Sequence, residues 1–373
     1  MEFDPDADIE SWRLAVPAKP ACYLLVDEAD RPVLLATAGD LRGALVRRLG
    51  RPQTDEGPVR RIDYRQVVRR VRYRQVGGSF EANWAYLENA RRFFGPQHRQ
   101  MTRRFKCHWI CLESDSPAPR WVIASQPAAE PADCFGPFDR MRDARDVIQG
   151  LEDLFDLCRE YSILQQTPHG TACAYKEMGR CPAPCDGTVS MDAYRRQLQE
   201  SAAFLTDPDA AVGRATERMA RAAERREYEK AAELKKWLDR AEALRPLPRS
   251  VDCFDYLGIH PGATDTWRTL FRVRAGLIER IGQFQRGQPL AEAVASLACR
   301  PALPLVLQEP AARRMGLVAD DMRRPGAVGR WFEAERLEDP DRLLESIERA
   351  TQAEDRSGGN VNVLSSVEPS DES

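Results

Sequence analysis

The chain has 373 residues, of which 43% are apolar and 30% are charged, and its formal net charge at pH 7 is −3. This is the composition of an ordinary globular protein, and the length accommodates two or three domains. No run of about 18 apolar residues occurs, which excludes a membrane-spanning helix, and the acidic start "MEFDPDADIESW" does not resemble a secretory signal. We therefore expect a cytoplasmic protein whose ten cysteines stay reduced rather than form a disulfide framework.

Short strands and helices alternate through the first part of the chain. The runs "ACYLLVDE" and "RPVLLATA" are apolar and β-prone, and turn residues separate them. Asp40 then caps a helix that closes at Gly50. A strand "RVRYRQV" follows, and after it a helix capped by Ser79 that ends before Pro96. These elements predict a small α/β domain over residues 15–105.

The same domain carries an arginine-rich segment. Between Arg42 and Lys106 there are 17 Lys and Arg against five Asp and Glu, a local net charge of +12, with aromatic residues interleaved. Such a surface attracts phosphate backbones through counterion release. The alternative is a solvated arginine-rich surface without a ligand. The candidate DNA-binding residues are Arg47, Arg48, Arg69, Arg70, Arg72 and Arg74.

Residues 106–205 are predicted to form a connecting segment. Two strand-like runs, "FKCHWICLE" and "PRWVIASQ", are followed by a turn and then a helix within "CFGPFDRMRDARDVIQGLEDLFDLC". Ser190 opens a further helix.

Four cysteines lie close together in this segment with the spacing C-x14-C-x7-C-x3-C: Cys158, Cys173, Cys181 and Cys185. Zinc usually uses C-x2-C knuckles, and none occurs here. An iron–sulfur cluster, held by irregularly spaced thiolates, suits the pattern better. The third interpretation is four unrelated buried cysteines.

The remaining cysteines are predicted to serve core packing rather than ligand binding. Cys22, Cys253 and Cys299 lie in apolar runs and are expected in the core. Cys107 and Cys111 face the same side of a strand, and no second element is expected to converge on them.

Residues 206–246 are predicted to form a helical hairpin. The run "AAVGRATERMARAAERREYEKAAELKKWLDRAEAL" is rich in Ala, Glu, Arg and Lys, and its alanine pairs allow two helices to approach closely. A break near Arg226–Tyr228 would produce an αα-hairpin; the alternative is one long charged surface helix. Beyond it, "FDYLGIHP" and "WRTLFRVRAGLIERIGQF" predict a β-hairpin and "DPDRLLESIERA" a helix, which together indicate an α/β region over 251–350. The tail 351–373 is polar and expected to be disordered. The fold class predicted is α+β.

Three segments resemble one family. "CAYKEMGRCPAPCDGTVSMDAYRRQLQESAAFL" resembles the cysteine-rich segment of the UvrC family, which belongs to the excinuclease of bacterial nucleotide excision repair. "MARAAERREYEKAAELKKWL" is similar to that family's UVR motif, and the N-terminal domain is placed like its GIY-YIG nuclease domain. The resemblance is collinear from about residue 18 to about residue 290.

The resemblance implies a cofactor and two partners. The matching cysteines of the family bind an iron–sulfur cluster, so Cys158, Cys173, Cys181 and Cys185 are expected to ligate [4Fe–4S], with zinc as the alternative. DNA and a UvrB-like protein are the implied partners. The residues implied in partner binding through the hairpin are Met219, Ala222, Ala223, Tyr228, Glu229, Ala231, Ala232 and Lys235.

The sequence departs from the family's nuclease motif. Of the first half only Tyr23 matches, and the second half falls on "LLATA", with Leu34, Ala36 and Thr37 at the positions of its tyrosine, glycine and lysine. The expected arginine falls on Ala44, and the late asparagine on Arg99. A divalent metal, Mg²⁺, is expected only if a nuclease is active.

Only Glu88 could match the metal-binding carboxylate, and both Glu88 and Tyr23 also suit structural roles. This chemistry needs a base, a cation and a metal ligand together. We therefore expect little or no cleavage. The second nuclease and the helix-hairpin-helix motifs of the family are also expected to be absent, because only 66 residues separate "IERIGQF" from the tail that begins at residue 351.

The UVR-like run departs mildly, with Arg226 at an expected leucine and Lys235–Lys236 at an expected Arg-Asp pair. An acid replaced by lysine alters charge complementarity with a UvrB-type partner. The interpretation is a divergent, non-catalytic UvrC-like protein that binds DNA and a partner in excision repair. Two alternatives stay open: an active endonuclease with a rearranged site, and an interaction module without a DNA role.

Overall fold

The computed structural model describes residues 1–6, 13–50, 63–127, 133–244, 250–262, 264, 266–285, 309–324 and 330–333. The helix predicted over 339–350, the disordered tail predicted over 351–373 and Cys299 lie outside the described residues.

The described elements are, in chain order, β1 (Ala21–Val26), β2 (Pro32–Ala38), α1 (Leu41–Leu49), a 3-10 turn (Tyr64–Gln66), β3 (Arg70–Gln75), α2 (Ser79–Phe93), a 3-10 turn (Gly95–Gln97), α3 (His98–Met101), a 3-10 turn (Arg103–Phe105), β4 (His108–Leu112), β5 (Trp121–Ala124), β6 (Cys134–Phe138), α4 (Met141–Leu154), α5 (Tyr161–Leu164), α6 (Ala174–Glu177), a 3-10 turn (Pro184–Asp186), α7 (Met191–Thr206), α8 (Pro208–Glu224), α9 (Tyr228–Ala243), a 3-10 turn (Val251–Cys253), β7 (Asp255–Pro261), β8 (Trp267–Arg274), β9 (Leu277–Gln285), α10 (Glu309–Arg323) and β10 (Arg330–Glu333). None of the described helices is long and apolar enough to cross a lipid bilayer.

The predicted α+β class is confirmed, since helices accompany three separate antiparallel sheets in the described part of the chain. Two compact units are present. The first contains the described residues of 1–105, 255–304 and 317–373, and the second those of 106–254 and 305–316. The domain boundaries drawn from the sequence remain predictions.

In the first unit, β1 is the central strand of a three-stranded sheet with the order β2-β1-β3. Successive side chains of a strand point to opposite faces, and here both faces are covered. Tyr23 and Leu25 belong to the apolar cluster that α1 covers, whereas Cys22 and Leu24 pack with Ala85 of α2. The two helices therefore lie on opposite faces of this sheet.

The start of α2 also packs on a second sheet of the same unit, with the order β10-β7-β8-β9. The Phe80 ring stacks on His260 with centroids 4.6 Å apart, and it meets Phe271 and Trp331 edge-on at 5.2 and 4.9 Å. His260 is buried among these rings, and burial lowers its pKa to about 3.

The second unit packs the sheet β5-β4-β6 and the helices α4 to α9 around one apolar core. Helix α4 turns Ala144, Ile148 and Leu151 inward, a spacing that places them on one face. The Trp121 indole donates a buried hydrogen bond of 3.0 Å from Nε1 to Ser201 Oγ, which joins β5 to α7.

Two of the three helix N-caps predicted from the sequence are present in the structure. The Asp40 carboxylate accepts from Gly43 N at 3.1 Å and Ser190 Oγ accepts from Ala193 N at 3.2 Å, as predicted. The cap expected at Ser79 is wrong, because the N-cap of α2 is Gly78 and no side chain caps it.

Two cysteine predictions fail. The turn expected at the start of "CFGPFDR" is the strand β6, which pairs with β4 and brings Cys134 opposite Cys111. These two cysteines form a disulfide with their Cα atoms 4.2 Å apart. A second element therefore does converge on Cys111, and the expectation that this pair stays reduced is wrong. Cys253 is exposed rather than packed in the core, whereas Cys22 is buried as expected.

Candidate cysteine site and helical hairpin

Three of the four clustered cysteines are buried close together. Cys158 follows α4, Cys181 precedes the 3-10 turn Pro184–Asp186, and Cys185 lies within that turn; all three are buried. A hydrogen bond from the Cys158 thiol to the Cys181 sulfur lowers the pKa of Cys181 to about 6, and the same bond together with burial raises the pKa of Cys158. Burial, with Asp186 and Cys181 nearby, raises the pKa of Cys185.

Cys173 is placed differently from the other three. It is half-buried and occupies the N-cap position of the short helix α6, and no contact with the other thiols accompanies it among the described residues. Across that part of the chain, no group of three or more His, Cys, Asp or Glu side chains is close enough to hold one ion. The structure thus places the three buried thiols of Cys158, Cys181 and Cys185 near one another without converging on one ion, and it leaves Cys173 at the edge. Thiols are the donors that zinc and iron–sulfur clusters use.

The loop that bears Cys181 and Cys185 has an unusual backbone. Ala183, between them, is buried and adopts a left-handed conformation with φ of 57°. Gly187 follows with φ of 80°, which glycine tolerates without a Cβ clash. The two bends turn the chain back, so that Gly170 N donates to the Cys185 carbonyl at 2.9 Å.

Three residues around the thiols were not identified from the sequence. The Tyr194 hydroxyl accepts from Cys158 N at 3.1 Å, and Arg159 and Lys176 bond to the loops that carry the cysteines. Arg159 directly follows a cysteine and Lys176 lies three residues after another, a proximity in sequence that would have identified them. Tyr194 carries no such signal, because its position depends on how α7 packs.

The predicted helical hairpin is present. Helix α8 ends at Glu224 and α9 begins at Tyr228, so the break lies at residues 225–227 as expected. Arg226 takes a left-handed φ of 61°, and Glu227 N bonds to Ala222 O at 2.9 Å to close the turn.

One end of the hairpin is anchored and the other is exposed. Near the open end, Trp237 packs edge-on against Phe155 and Phe204, at centroid distances of 6.1 and 5.8 Å, and Ala241 is buried. At the turn, the Tyr228 side chain is 68% exposed. The residues predicted to bind a partner are mostly on this free part: Ala223, Tyr228, Glu229, Ala232 and Lys235 are exposed, Met219 and Ala231 half-buried, and only Ala222 buried.

A groove of about 1290 Å³ runs between the anchored part of the hairpin and the cysteine loop. The rings of Phe155, Phe204 and Trp237 line it, and Arg180 and Arg218 add cations at its sides. The groove therefore joins the hairpin and the cysteine loop into one continuous surface of the second unit.

Residues 107–204, which include all four clustered cysteines, match the family described as UvrC/Cho excinuclease, middle domain. A UvrABC system protein C from Synechococcus sp. (strain JA-3-3Ab) is 27% identical over 286 residues, which is 74% of this chain and 45% of the relative. The chain is therefore similar to UvrC-family proteins over most of its length, and residues 107–204 match that family's middle domain.

Other proteins of the same name extend this likeness. The Syntrophomonas wolfei protein is 28% identical over 47% of this chain and 29% of its own length. The Syntrophus aciditrophicus protein is 32% identical over 36% of this chain and 21% of its own length. The chain spans less than half the length of these UvrC-family relatives. No solved structure matches the chain.

Four of the positions assigned to the UvrC nuclease motif lie on one face of the N-terminal sheet, but as an apolar cluster. Tyr23 lies opposite Ala36, and Leu34 and Ala44 pack in the same cluster under α1. The Tyr23 ring is buried, and its hydroxyl accepts from Arg48 Nε at 2.7 Å. This face is therefore filled by apolar packing around a tyrosine whose hydroxyl is already bound.

Glu88 does not approach Tyr23 from that face. It lies on α2, which covers the opposite face of the sheet, and it has a partner of its own. The structure therefore does not bring the two residual matches to the nuclease motif together.

The arginines predicted to bind DNA are largely occupied within the protein. Arg70 and Arg72 both pair with Asp30, and Arg70 also pairs with Glu2 at 2.7 Å. The side chain of Arg74 lies 3.2 Å from the buried carboxylate of Glu81.

Of the other three, Arg69 donates to the backbone carbonyls of Arg65 and Val68 at 3.2 and 2.9 Å. Arg48 donates to Tyr23. Only Arg47 is exposed with no partner among the described residues. The arginine row of β3 is thus largely neutralised by acids of its own unit.

Proposed function

We propose that this protein is a non-catalytic member of the UvrC family, connected with nucleotide excision repair, that binds a UvrB-like partner through its helical hairpin and contacts DNA through its first unit. The observation that carries the proposal is the hairpin. Its open end is fixed by buried aromatic rings while its turn end presents an exposed tyrosine, which is the arrangement of an interaction module rather than of a solvated surface helix.

The partner-binding part is tested with two hairpin variants and a purified UvrB-type protein. Tyr228→Ser removes an exposed aromatic anchor, and Lys235→Glu reverses a charge on the same helix. Each should weaken binding in calorimetry by about tenfold or more, or about 1.4 kcal/mol. Arg196→Glu, an equal charge reversal at an exposed position of α7, is the control and should leave the affinity unchanged. Equal affinity of all three variants and wild type would remove the hairpin from the proposal.

The apolar cluster at the nuclease position supports the non-catalytic role proposed here. General acid–base catalysis alone contributes about two to four orders of magnitude, and Leu34, Ala36 and Ala44 supply neither acid, base nor metal ligand. We expect no incision of damaged or nicked duplex with Mg²⁺ or Mn²⁺. Incision that is lost in Glu88→Ala would instead support the active endonuclease.

The DNA contact is better placed on the end of α2 and the 3-10 turn Arg103–Phe105 than on β3. Arg91, Arg92 and Arg103 are exposed, and they have no ion-pair partner in the described part of the chain. No acidic residue occurs between 89 and 112. Arg104 is held beside them, donating to Asn83 Oδ1 at 2.8 Å with its guanidinium 4.6 Å from the centre of the Phe105 ring. Unpaired cations release more counterions on binding phosphate than cations already matched by acids.

Two matched triple variants separate these surfaces. Changing Arg91, Arg92 and Arg103 to Gln should lower the slope of log K against log salt by about one unit per lost contact. Changing Arg70, Arg72 and Arg74 to Gln should have a smaller effect. The reverse order would return the DNA contact to β3.

If neither triple variant changes the binding, or wild type shows no salt-dependent DNA affinity, the favoured function becomes a protein-interaction module without a DNA role. The internal ion pairs of Arg70, Arg72 and Arg74 support that second candidate.

The cysteine site is proposed to hold a [4Fe–4S] cluster, with zinc as the alternative. The buried, neighbouring thiols of Cys158, Cys181 and Cys185 support it, with Cys173 as the fourth ligand once metal binding draws the four together. Anaerobic purification with iron, sulfide and zinc analysis tests the assignment. About four irons and a visible absorption that Cys181→Ala abolishes are expected. One zinc would keep the site and change its metal, and no metal would reject it.

A further inference from the structure

Arg159 joins three of the four segments that carry the clustered cysteines. It directly follows Cys158, and its Nη1 donates to the carbonyl of Arg180, the residue before Cys181, at 2.9 Å. Its guanidinium lies 4.9 Å from the centre of the Tyr175 ring, two residues after Cys173. The side chain is only 14% exposed.

A carboxylate on α4 holds Arg159 in this position. Arg159 Nη2 lies 2.6 Å from Asp153 Oδ1. The guanidinium is therefore fixed from three sides: a carboxylate, a backbone carbonyl and an aromatic face. A planar fork with five donors can make all three contacts at once, which a lysine ammonium cannot.

Lys176 makes the remaining connection. It lies three residues after Cys173, and its Nζ is 2.6 Å from Asp186 Oδ2 and 2.7 Å from Thr188 Oγ1. Asp186 directly follows Cys185, and its other oxygen accepts from Thr188 N at 2.9 Å. This ion pair fastens the Cys173 segment to the Cys185 turn.

We propose that Arg159 and the Lys176–Asp186 pair are positioning elements that hold the four cysteine-bearing segments together before a metal binds. The inference rests on the proposed metal site but concerns this chain's own residues. Arg159 ties the segments of Cys158, Cys173 and Cys181, and Lys176 ties those of Cys173 and Cys185. Cys173 is the thiol that stands apart, and both elements reach its segment.

The physical reason is preorganisation. Four thiolates repel one another and come from segments spread over 28 residues of chain, so gathering them costs conformational entropy and electrostatic work. Contacts that already exist in the metal-free protein lower the free energy that metal binding must supply to gather the thiolates. The two cations also place positive charge beside a site that becomes anionic when its thiols ionise.

The test compares Arg159→Gln, Lys176→Met and their combination with wild type. Arg195→Gln is the matched control, because Arg195 is an arginine of the same unit whose Nη2 donates to a backbone carbonyl, that of Ser116, at 2.8 Å. Zn²⁺ affinity is measured by competition with a chelator, and reconstitution with ferrous iron and sulfide is followed by visible circular dichroism. Loss of outer contacts to a metal site typically weakens affinity about 10–100-fold.

Each single variant should lose metal affinity in that range, while Arg195→Gln should match wild type. Lys176→Arg, which can still reach Asp186, should restore most of the affinity, and Arg159→Lys should not. A second readout uses the metal-free protein: alkylation of Cys173, located by mass spectrometry, should become faster in both single variants. Far-UV circular dichroism confirms that each variant is folded.

The outcomes separate this inference from the metal site itself. Wild type that takes up no metal rejects the site, and the alkylation rates then still decide whether the two elements hold the segments. Wild type that binds metal, with Arg159→Gln and Lys176→Met within about threefold of it and unchanged alkylation of Cys173, overturns the inference.

Discussion

The hydrogen bond from Cys158 N to the Tyr194 hydroxyl connects the cysteine site to the core of the second unit, and Tyr194→Phe removes it. The ring of Tyr194 is fully buried and stays in place in the variant, so no large cavity forms. The only group deleted is the hydroxyl that accepts from Cys158 N at 3.1 Å. The variant therefore isolates one buried hydrogen bond.

The expected cost follows from the buried donor left behind. An amide that loses its partner without gaining water costs about 1–3 kcal/mol. At about 2 kcal/mol, a unit of this size should lose about 4–8 °C in Tm. The same free energy would speed exchange of the Cys158 amide by about 30-fold if opening of the site limits exchange.

Urea denaturation and hydrogen exchange read by mass spectrometry measure both quantities. Tyr175→Phe is the control, because that tyrosine keeps its ring under Arg159 and its hydroxyl has no partner among the described residues. It should stay within about 0.5 kcal/mol of wild type. If Tyr194→Phe is as stable as Tyr175→Phe and the exchange of Cys158 is unchanged, Tyr194 does not support the cysteine site.

Three further predictions concern the first unit. Glu81→Gln should destabilise it by about 1–3 kcal/mol in urea denaturation, because this buried carboxylate accepts from Gly77 N at 2.9 Å and faces Arg74; an unchanged midpoint would contradict the ion pair. Gly77→Ala should be costlier still, since its Cβ would lie 1.8 Å from the carbonyl oxygen of Pro261, and a stable variant would refute that close approach. Burial lowers the pKa of His260 to about 3 in the folded protein, against 6.5 when unfolded. The free energy of unfolding is therefore fully retained above pH 6.5 and falls on acidification, by about 2 kcal/mol between pH 7 and pH 5. His260→Phe should remove that part of the pH dependence.

Local signals in the sequence predicted much of this fold. Asp40 and Ser190 cap helices because their carboxylate and hydroxyl satisfy backbone amides that the helix leaves free. The hairpin break was predicted correctly, because a charged, non-alanine stretch interrupts two alanine-rich helices there. These features depend on a few neighbouring residues, which a sequence displays directly.

Features set by distant contacts were predicted less well. The strand β6 was expected as a turn because it contains Gly136 and Pro137, yet it pairs with β4 and its cysteine reaches Cys111. The arginine row of β3 suggested a free basic surface, since its acids come from other elements. Asp30 lies in the β1–β2 turn and Glu81 on α2, so the neutralisation depends on tertiary structure.

The two candidate sites differ in what keeps their residues in place, and that difference supports the cysteine assignment. At the nuclease position, Leu34 and Ala36 pack around Tyr23, so the cluster is stable without any chemistry. The cysteine loop also packs, since Cys158 and Cys181 belong to the apolar core of the second unit, but its backbone is strained. Ala183 holds a left-handed backbone that costs an L-residue about 1–2 kcal/mol, where glycine would avoid the cost. The buried thiols of Cys158 and Cys181 bond to each other and to backbone groups. A bound metal would stabilise a strained loop that gathers thiols in this way, and the contacts of Arg159 and Lys176 hold that arrangement ready.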